Sequence, residues 1–330
     1  MKRSIKAALI VLAVAITVIG ILAYRQLSHP SLAPYASLEL PSTPPAPGRL
    51  IARFLGVATV LLDDGETAIM TDGFFSRPGK WRLLTGKIAP DNTRIDDALR
   101  RANVGRLAAI LVAHSHHDHA MDSAAVARRT GALLIGSEST ANIGRGEGFP
   151  EASIRVVSSG ERFSLGRFKI TVVKSPHSPG MLFAGEIGAP LQTPANASDY
   201  REGGNYSYLI EHNGRGILVH ASTNVSPGIF KGVRADIVFL GIAVLGKQSD
   251  QFADDYWREV VRTTGAKLVI PIHWDDFTLP LDQPLKPMPP LMDKFDRGLQ
   301  TVQRLARTDH VAVRLMPLFE PVDVLGAAGY

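Results

Sequence analysis

Four potential metal ligands fall within six residues, in the pattern His114-x-His116-x-Asp118-His119. Imidazole nitrogen and carboxylate oxygen suit zinc, manganese or iron, and a divalent cation needs such side chains to converge on one point. The pattern follows a compact apolar run at 108–112 and precedes a helix expected at 120–129. A strand-to-helix turn is a place where neighbouring side chains can share a centre. The competing reading, a solvated loop that happens to be rich in His, gives no reason for the cluster to cap a buried strand. Two further residues follow strand-like runs: His177 after 170–173 and His273 after 268–272. Taken singly, each is more often a hydrogen-bonded structural residue than a ligand. Asp72, in Thr71-Asp72-Gly73, reads either as a turn residue or as a carboxylate that orients a ligand. His117, His212, His220 and His310 read as structural or solvent-facing.

Composition narrows the chemistry. The 330-residue chain has no Cys, which excludes disulfides, thiolate-bound zinc, iron–sulfur clusters and Cys nucleophiles. No Gly-x-Ser-x-Gly elbow is present, which counts against a serine hydrolase. The stretch Gly144-Arg145-Gly146-Glu147-Gly148 lacks the Lys-Ser/Thr that follows in a P-loop and reads as a plain loop. Of the formal charge of +5, three units come from Lys2, Arg3 and Lys6. The remainder is too small to argue for a nucleic-acid partner.

The elements that must position these residues begin after a different kind of segment. Residues 7–24 carry no charge. As a helix they would extend roughly 27 Å at about 1.5 Å per residue, close to the thickness of a hydrocarbon core. With the basic tail 1–6 in front, the positive-inside rule places the N-terminus in the cytoplasm and the rest of the chain outside it, on the periplasmic or extracellular side. A cleaved signal peptide is the competing reading, but the apolar run is long and Ile21 fits a small-x-small cleavage site poorly. Residues 25–48 are rich in Pro and read as an extended linker without a core of its own. The domain proper is expected at 49–330, with short strands first (50–55, 59–62, 68–71) and then alternating strands and helices, including a hairpin around Asn213-Gly214 and helices at 250–263 and 291–306. The mixture points to α/β layers.

The His-x-His-x-Asp-His motif, the upstream Asp72 and the isolated His residues at strand ends together resemble the metallo-β-lactamase fold superfamily of hydrolases. Within it the chain is most similar to the UlaG-like branch, through Ala141-Asn142-Ile143 and Ile270-Pro271-Ile272-His273-Trp274. The resemblance implies a four-layer αββα sandwich, here preceded by an N-terminal transmembrane helix. It implies one metal site from His114, His116 and His177 and another from Asp118, His119 and His273, with Asp72 orienting the metal loop. Zinc, as one or two ions, is the expected cofactor, with manganese or iron as alternatives. It would activate water against an ester, amide or phosphodiester of a small-molecule or lipid-derived substrate, with Asp118 and His119 as the catalytic pair.

Two positions depart from the family pattern. Ser222 stands where an Asp bridging both metals is expected, and a neutral hydroxyl offsets metal–metal repulsion poorly, so one metal or a weak second one becomes plausible. Val57 occupies the place of a His in Gly56-Val57-Ala58. Segment 181–204 and Trp274-Asp275-Asp276 are expected to line the pocket. An iron-dependent oxidoreductase of the same superfamily and a non-catalytic binding protein remain the alternatives to a hydrolase.

Overall fold

The computed structural model describes every residue except Met1 and Met181, and at 2–4, 7 and 8 the backbone alone. Met181, the first residue of the expected pocket segment, and the Lys2 and Arg3 side chains therefore lie outside the described residues. The chain opens with helix α1 (Lys2–Leu27), whose stretch Leu9–Leu27 is long and apolar enough to cross a membrane and has none of its length buried. The Pro-rich segment that follows is not a free spacer. Its 3-10 turn Ala33–Leu38 buries Tyr35, whose hydroxyl donates to Asp296 at 2.8 Å, and Leu40 N–H donates to Leu315 O at 2.9 Å. Two apolar anchors, Tyr35 and Leu40, are enough to lay a segment of otherwise low hydrophobicity onto the domain.

The domain is built on two seven-stranded sheets. The first holds β1 (Ile51–Phe54), β2 (Val60–Asp63), β3 (Ala68–Thr71), β4 (Ala109–Leu111), β5 (Leu133–Gly136) and β6 (Ile154–Val156). The second holds β7 (Arg162–Leu165), β8 (Phe168–Ser175), β9 (Asn205–His212), β10 (Arg215–His220), β11 (Ile237–Gly241), β12 (Leu268–Ile272) and β13 (Ala312–Val313), and β14 (Val322–Asp323) returns to pair with β1. In each sheet antiparallel pairings on one side give way to parallel ones on the other, at β3–β4 and at β10–β11. The two halves are thus alike in pairing pattern although no repeat shows in the sequence.

Alternation along the first sheet decides what each face touches. Ala52, Phe54, Val60, Leu62 and Ile69 join the core shared with the second sheet, whereas Leu61, Met70, Ile110 and Leu134 pack outward. The outward side chains meet a helical layer that includes α3 (Asn92–Arg101), which follows the short α2 (Lys80–Thr85), and α5 (Ser123–Thr130) and α6 (Glu138–Gly146), which follow the single turn α4 (His117–Ala120). On the far face of the second sheet lie α7 (Asp250–Trp257) and α8 (Phe295–Asp309). This is the four-layer αββα sandwich expected. α8 starts four residues later than the periodicity predicts, because Pro289 and Pro290 lead into a turn closed by Met292 N–H on Pro289 O at 2.8 Å.

Strand direction explains why ligands distant in sequence meet. β3 and β4 run parallel, as do β10, β11 and β12, and β8 shares the direction of β10 because β9 is antiparallel to both. Asp72, the His114–His119 motif, His177, Ser222 and His273 therefore all follow strands ending at one edge of the sandwich.

Candidate metal centre

The His-rich turn leaves β4 and enters α4, where His116 caps the single turn in an extended conformation and His119 N–H bonds back to His116 O at 3.0 Å. Six side chains then gather into two groups, His114 with His116 and His177, and Asp118 with His119 and His273. In the first, His114 Nε2 lies 3.1 Å from His116 Nδ1 and 3.2 Å from His177 Nε2. In the second, His119 Nε2 lies 3.0 Å from His273 Nε2, and Asp118 Oδ2 lies 3.7 Å and 3.5 Å from those two atoms. The His114 and His119 rings sit with centroids 3.8 Å apart, so the groups adjoin.

The donor chemistry fits a divalent cation. Asp72 Oδ2 accepts from His119 Nδ1 at 2.7 Å, which fixes the proton on Nδ1 and leaves the Nε2 lone pair aimed at His273. His177 Nδ1 donates to Ser178 O at 3.1 Å, again leaving Nε2 unprotonated toward His114. These two lone pairs, one in each group, are free to take a cation. Two nitrogens on a tetrahedral zinc stand about 3.3 Å apart, near the spacing seen.

Charge differs between the groups. Burial pushes His114 well below the usual imidazole range, with the positive character of the surrounding His residues adding to the effect. Burial likewise lowers His116 to about 4 and His177 to about 3. These rings are neutral at physiological pH, the form that binds metal. In the second group, burial opposes charge on His119, but the Asp72 and Asp118 carboxylates outweigh it and raise its pKa. For Asp118, burial is again outweighed, here by the imidazoles led by His119, and the carboxyl is held below its ordinary range.

The backbone beneath the site is held by a network that motif reading misses. Asp72 adopts φ 55° and its Oδ1 accepts from Ala113 N–H at 2.7 Å, tying β3 to the metal turn. His273, at φ 56°, donates its N–H to Val57 O at 2.6 Å, and Val57 N–H donates to Asp275 Oδ1 at 2.8 Å. Asp275 in turn pairs with Arg77 at 2.5 Å, both side chains fully buried. Gly56 is required here, since a Cβ would fall 2.0 Å from Arg77 Nη2. Val57 thus acts through its main chain, and the missing imidazole costs this contact nothing. Asp122 accepts from the N–H groups of Phe75 and Ser76 at 2.7 and 2.6 Å, holding the loop that carries Arg77.

Ser222 belongs to neither ligand group. Its hydroxyl donates to Asn205 Oδ1 at 2.9 Å, Asn205 Nδ2 donates to Ser175 Oγ at 2.8 Å, and the chain continues through Ser207 to His220. His220 is buried and structural, as expected, while His117 is buried between Phe74 and Phe277 with no partner for Nε2 and forms part of the cavity wall. His212 bonds Asp64 at 3.0 Å, remote from the site.

Above the ligands opens a cavity of about 250 Å³. Its floor is His114, His116, Asp118, His177 and His273, and its walls are mostly apolar, including Leu182, Phe183, Val244, Phe277, Met288 and Met292. Of the segment expected to line it, only Leu182 and Phe183 among the described residues reach the cavity. Most of the rest lies along α6, where Asn142 Nδ2 donates to Ile187 O at 2.7 Å. Asp275 lines the cavity, but Trp274 packs between Phe54 and Phe295, and Asp276 turns toward His29.

An αββα sandwich with two adjoining His/Asp groups at one edge defines a class of metal-site proteins. Residues 68–274 match the profile described as the beta-lactamase superfamily domain, and the chain belongs to that family. It is similar to a protein described as a metal-dependent hydrolase from Heliobacterium modesticaldum, at 25% identity over 236 residues that cover 68% of this chain and 82% of the relative. Among solved structures, the metallo-beta-lactamase fold protein YhfI from Bacillus subtilis superposes with a TM-score of 0.51 at 13% identity, over 83% of this chain and 99% of its own. CmlA from Streptomyces venezuelae, a diiron beta-hydroxylase, superposes with a TM-score of 0.50 at 18% identity, over 84% of this chain and 54% of its own. These structural likenesses speak to the fold.

Proposed function

We propose that this protein is a membrane-anchored, zinc-dependent hydrolase of an ester, amide or phosphodiester, with α1 as anchor and the domain outside the cytoplasm. The observation that carries the reading is the convergence of two ligand groups, with the tautomers of His119 and His177 set for metal binding, on the floor of an open cavity. A divalent cation held by His114, His116 and His177, or by Asp118, His119 and His273, would lower the pKa of bound water toward neutrality and polarise a carbonyl or phosphoryl oxygen.

The residues of the chain supply orientation and exclusion. Asp118, held ionised at the cavity floor by the surrounding imidazoles, accepts a hydrogen bond from water and orients it. Asp72 keeps the Nδ1 proton on His119, and the apolar walls strengthen every charge interaction on the floor by excluding bulk water. The anchor reading is supported by Leu9–Leu27, uncharged until Arg25 and with none of its length buried in the domain.

The test is a panel of p-nitrophenyl esters, anilides and bis(p-nitrophenyl) phosphate offered to the zinc-loaded full chain and to His116→Ala. Hydrolysis of at least one class, lost on chelation and in the variant, is expected. A fully loaded chain that cleaves none of them overturns the reading. Iron with the same nitrogen and oxygen donors is the second reading, and oxygen consumption by the iron-loaded chain would favour it.

A further inference from the structure

We propose that the rim of the metal cavity is seated in the surface of the bilayer carrying α1, and that the cavity admits the acyl chain of a membrane amphiphile. The proposal rests on the anchored-hydrolase reading and adds to it a surface, a direction of entry and a substrate class.

The first observation is where α1 meets the domain. Gln26 O, in its last turn, accepts from Leu291 N–H at 3.0 Å, and His29 Nε2 lies 2.9 Å from Asp276 Oδ2, whose side chain is buried. Leu291 belongs to the turn that supplies Met292 and Asp293 to the cavity, and Asp276 directly precedes Phe277 of the cavity wall. The helix therefore leaves the domain beside the cavity mouth. An anchor fixed there holds the mouth close to the bilayer.

The second observation is what surrounds that mouth. Leu182 is 70% exposed, Leu291 58% and Met292 55%, with Phe183 beside them at 40%. Trp81 and Leu84, also strongly exposed, stand on α2, and its Lys80 reaches the same Asp276 carboxylate as His29, at 3.3 Å. Outside α1, the only other large exposed apolar side chains among the described residues are Val156 and Tyr330. Six of eight thus gather where the helix emerges, and water gives no reason for that clustering. Cations accompany them, since Lys247 Nζ donates to Leu291 O at 3.1 Å and Lys80 stands beside Trp81. Apolar side chains with an interfacial Trp and flanking Lys suit the acyl and headgroup boundary of an anionic bilayer.

The third observation is the division inside the cavity. Polar ligands occupy the floor, while Val244, Phe277, Met288 and Met292 form a wall from the floor to the exposed rim. A molecule with a hydrolysable polar bond and an alkyl chain matches both parts, its chain following the wall outward to the lipid. A small polar metabolite would leave the wall and rim unmatched.

The absence of Cys makes the test direct. Spin labels are placed singly at Leu182→Cys, Leu291→Cys and Glu66→Cys in the full chain, reconstituted in vesicles of phosphatidylcholine and phosphatidylglycerol. Glu66 lies in the turn between β2 and β3, at the opposite edge of the sandwich. Labels at 182 and 291 are expected to show several-fold lower accessibility to a water-soluble nickel chelate than the label at 66. Equal accessibility at all three overturns the seating. The same vesicles, doped with a diazirine-acyl phosphatidylglycerol, are then irradiated and the adducts mapped. Adducts on Met288 and Phe277, inside the cavity, support acyl entry, and adducts confined to α1 overturn it. Neither readout depends on hydrolysis or metal content, so failure here is distinct from failure of the hydrolase reading, which the hydrolysis panel judges.

Discussion

The two ligand groups attract a cation by different means. His114, His116 and His177 form a neutral set, kept free of protons by burial and already aimed at one point. Asp118, His119 and His273 form a set charged by its carboxylate, in which Asp72 and Asp118 lift the pKa of His119 while burial lowers that of His273. The difference teaches that burial and geometry ready the first group, whereas the second depends on Asp72 and on the buried framework under His273. Ser222, bonded to Asn205, adds no charge to either.

The largest expected effect breaks the first group. His116→Ala should lose one equivalent of metal and all measurable hydrolysis while leaving the melting temperature of the metal-free protein nearly unchanged, as read by metal analysis, the hydrolysis panel and calorimetry. Next, Arg77→Met strands the Asp275 carboxylate beneath His273. It should destabilise the fold by about 3–5 kcal/mol in denaturant unfolding, since a buried charge is left without its partner.

A pH series sharpens the neutral character of the buried imidazoles. His220, lowered to about 4 by burial, is outside the ligand groups and reports the effect without metal. Its folded pKa lies below the unfolded value near 6.5, so its contribution is fully present above that value and is lost as pH falls toward 4. There the unfolded chain takes up a proton that the native ring refuses. The cost reaches about 3 kcal/mol by pH 4, measurable as a falling melting temperature of the chelator-treated protein. Raised stability on acidification would contradict it.

Asp72→Asn tests the charged group alone. The amide can still meet Ala113 N–H, but it no longer holds the His119 tautomer, and metal affinity at that group should fall about 10–100-fold with the first group unaffected. Ser222→Ala is the smallest change. It leaves Asn205 Oδ1 without its donor, costs about 1 kcal/mol in unfolding, and should not alter metal content.

What the sequence reveals follows from how local each feature is. His114 to His119 are legible because a single turn presents them together, and the α/β layering is legible because buried strands of the second sheet are continuous apolar runs. His177 and His273 are lone residues that only strand direction unites with the motif, and the family resemblance supplied what spacing could not. The Arg77–Asp275 pair spans 198 positions, and nothing in either neighbourhood marks those charges as buried. The short α2 escapes detection because it buries no side chain, and α6 because the face it buries is mostly small or polar, as at Ser139, Thr140, Asn142 and Gly144. The docking of segment 25–48 escapes because Tyr35 and Leu40 are isolated in a Pro-rich stretch.

The most direct measurement is metal content per chain in the full-length protein, purified without added metal, beside His116→Ala and Asp118→Asn. Bound transition metal is expected in the parent, with His116→Ala and Asp118→Asn each lowering it by removing a ligand from one group. A parent that holds no metal even after zinc is supplied, or variants that hold as much as the parent, would contradict it.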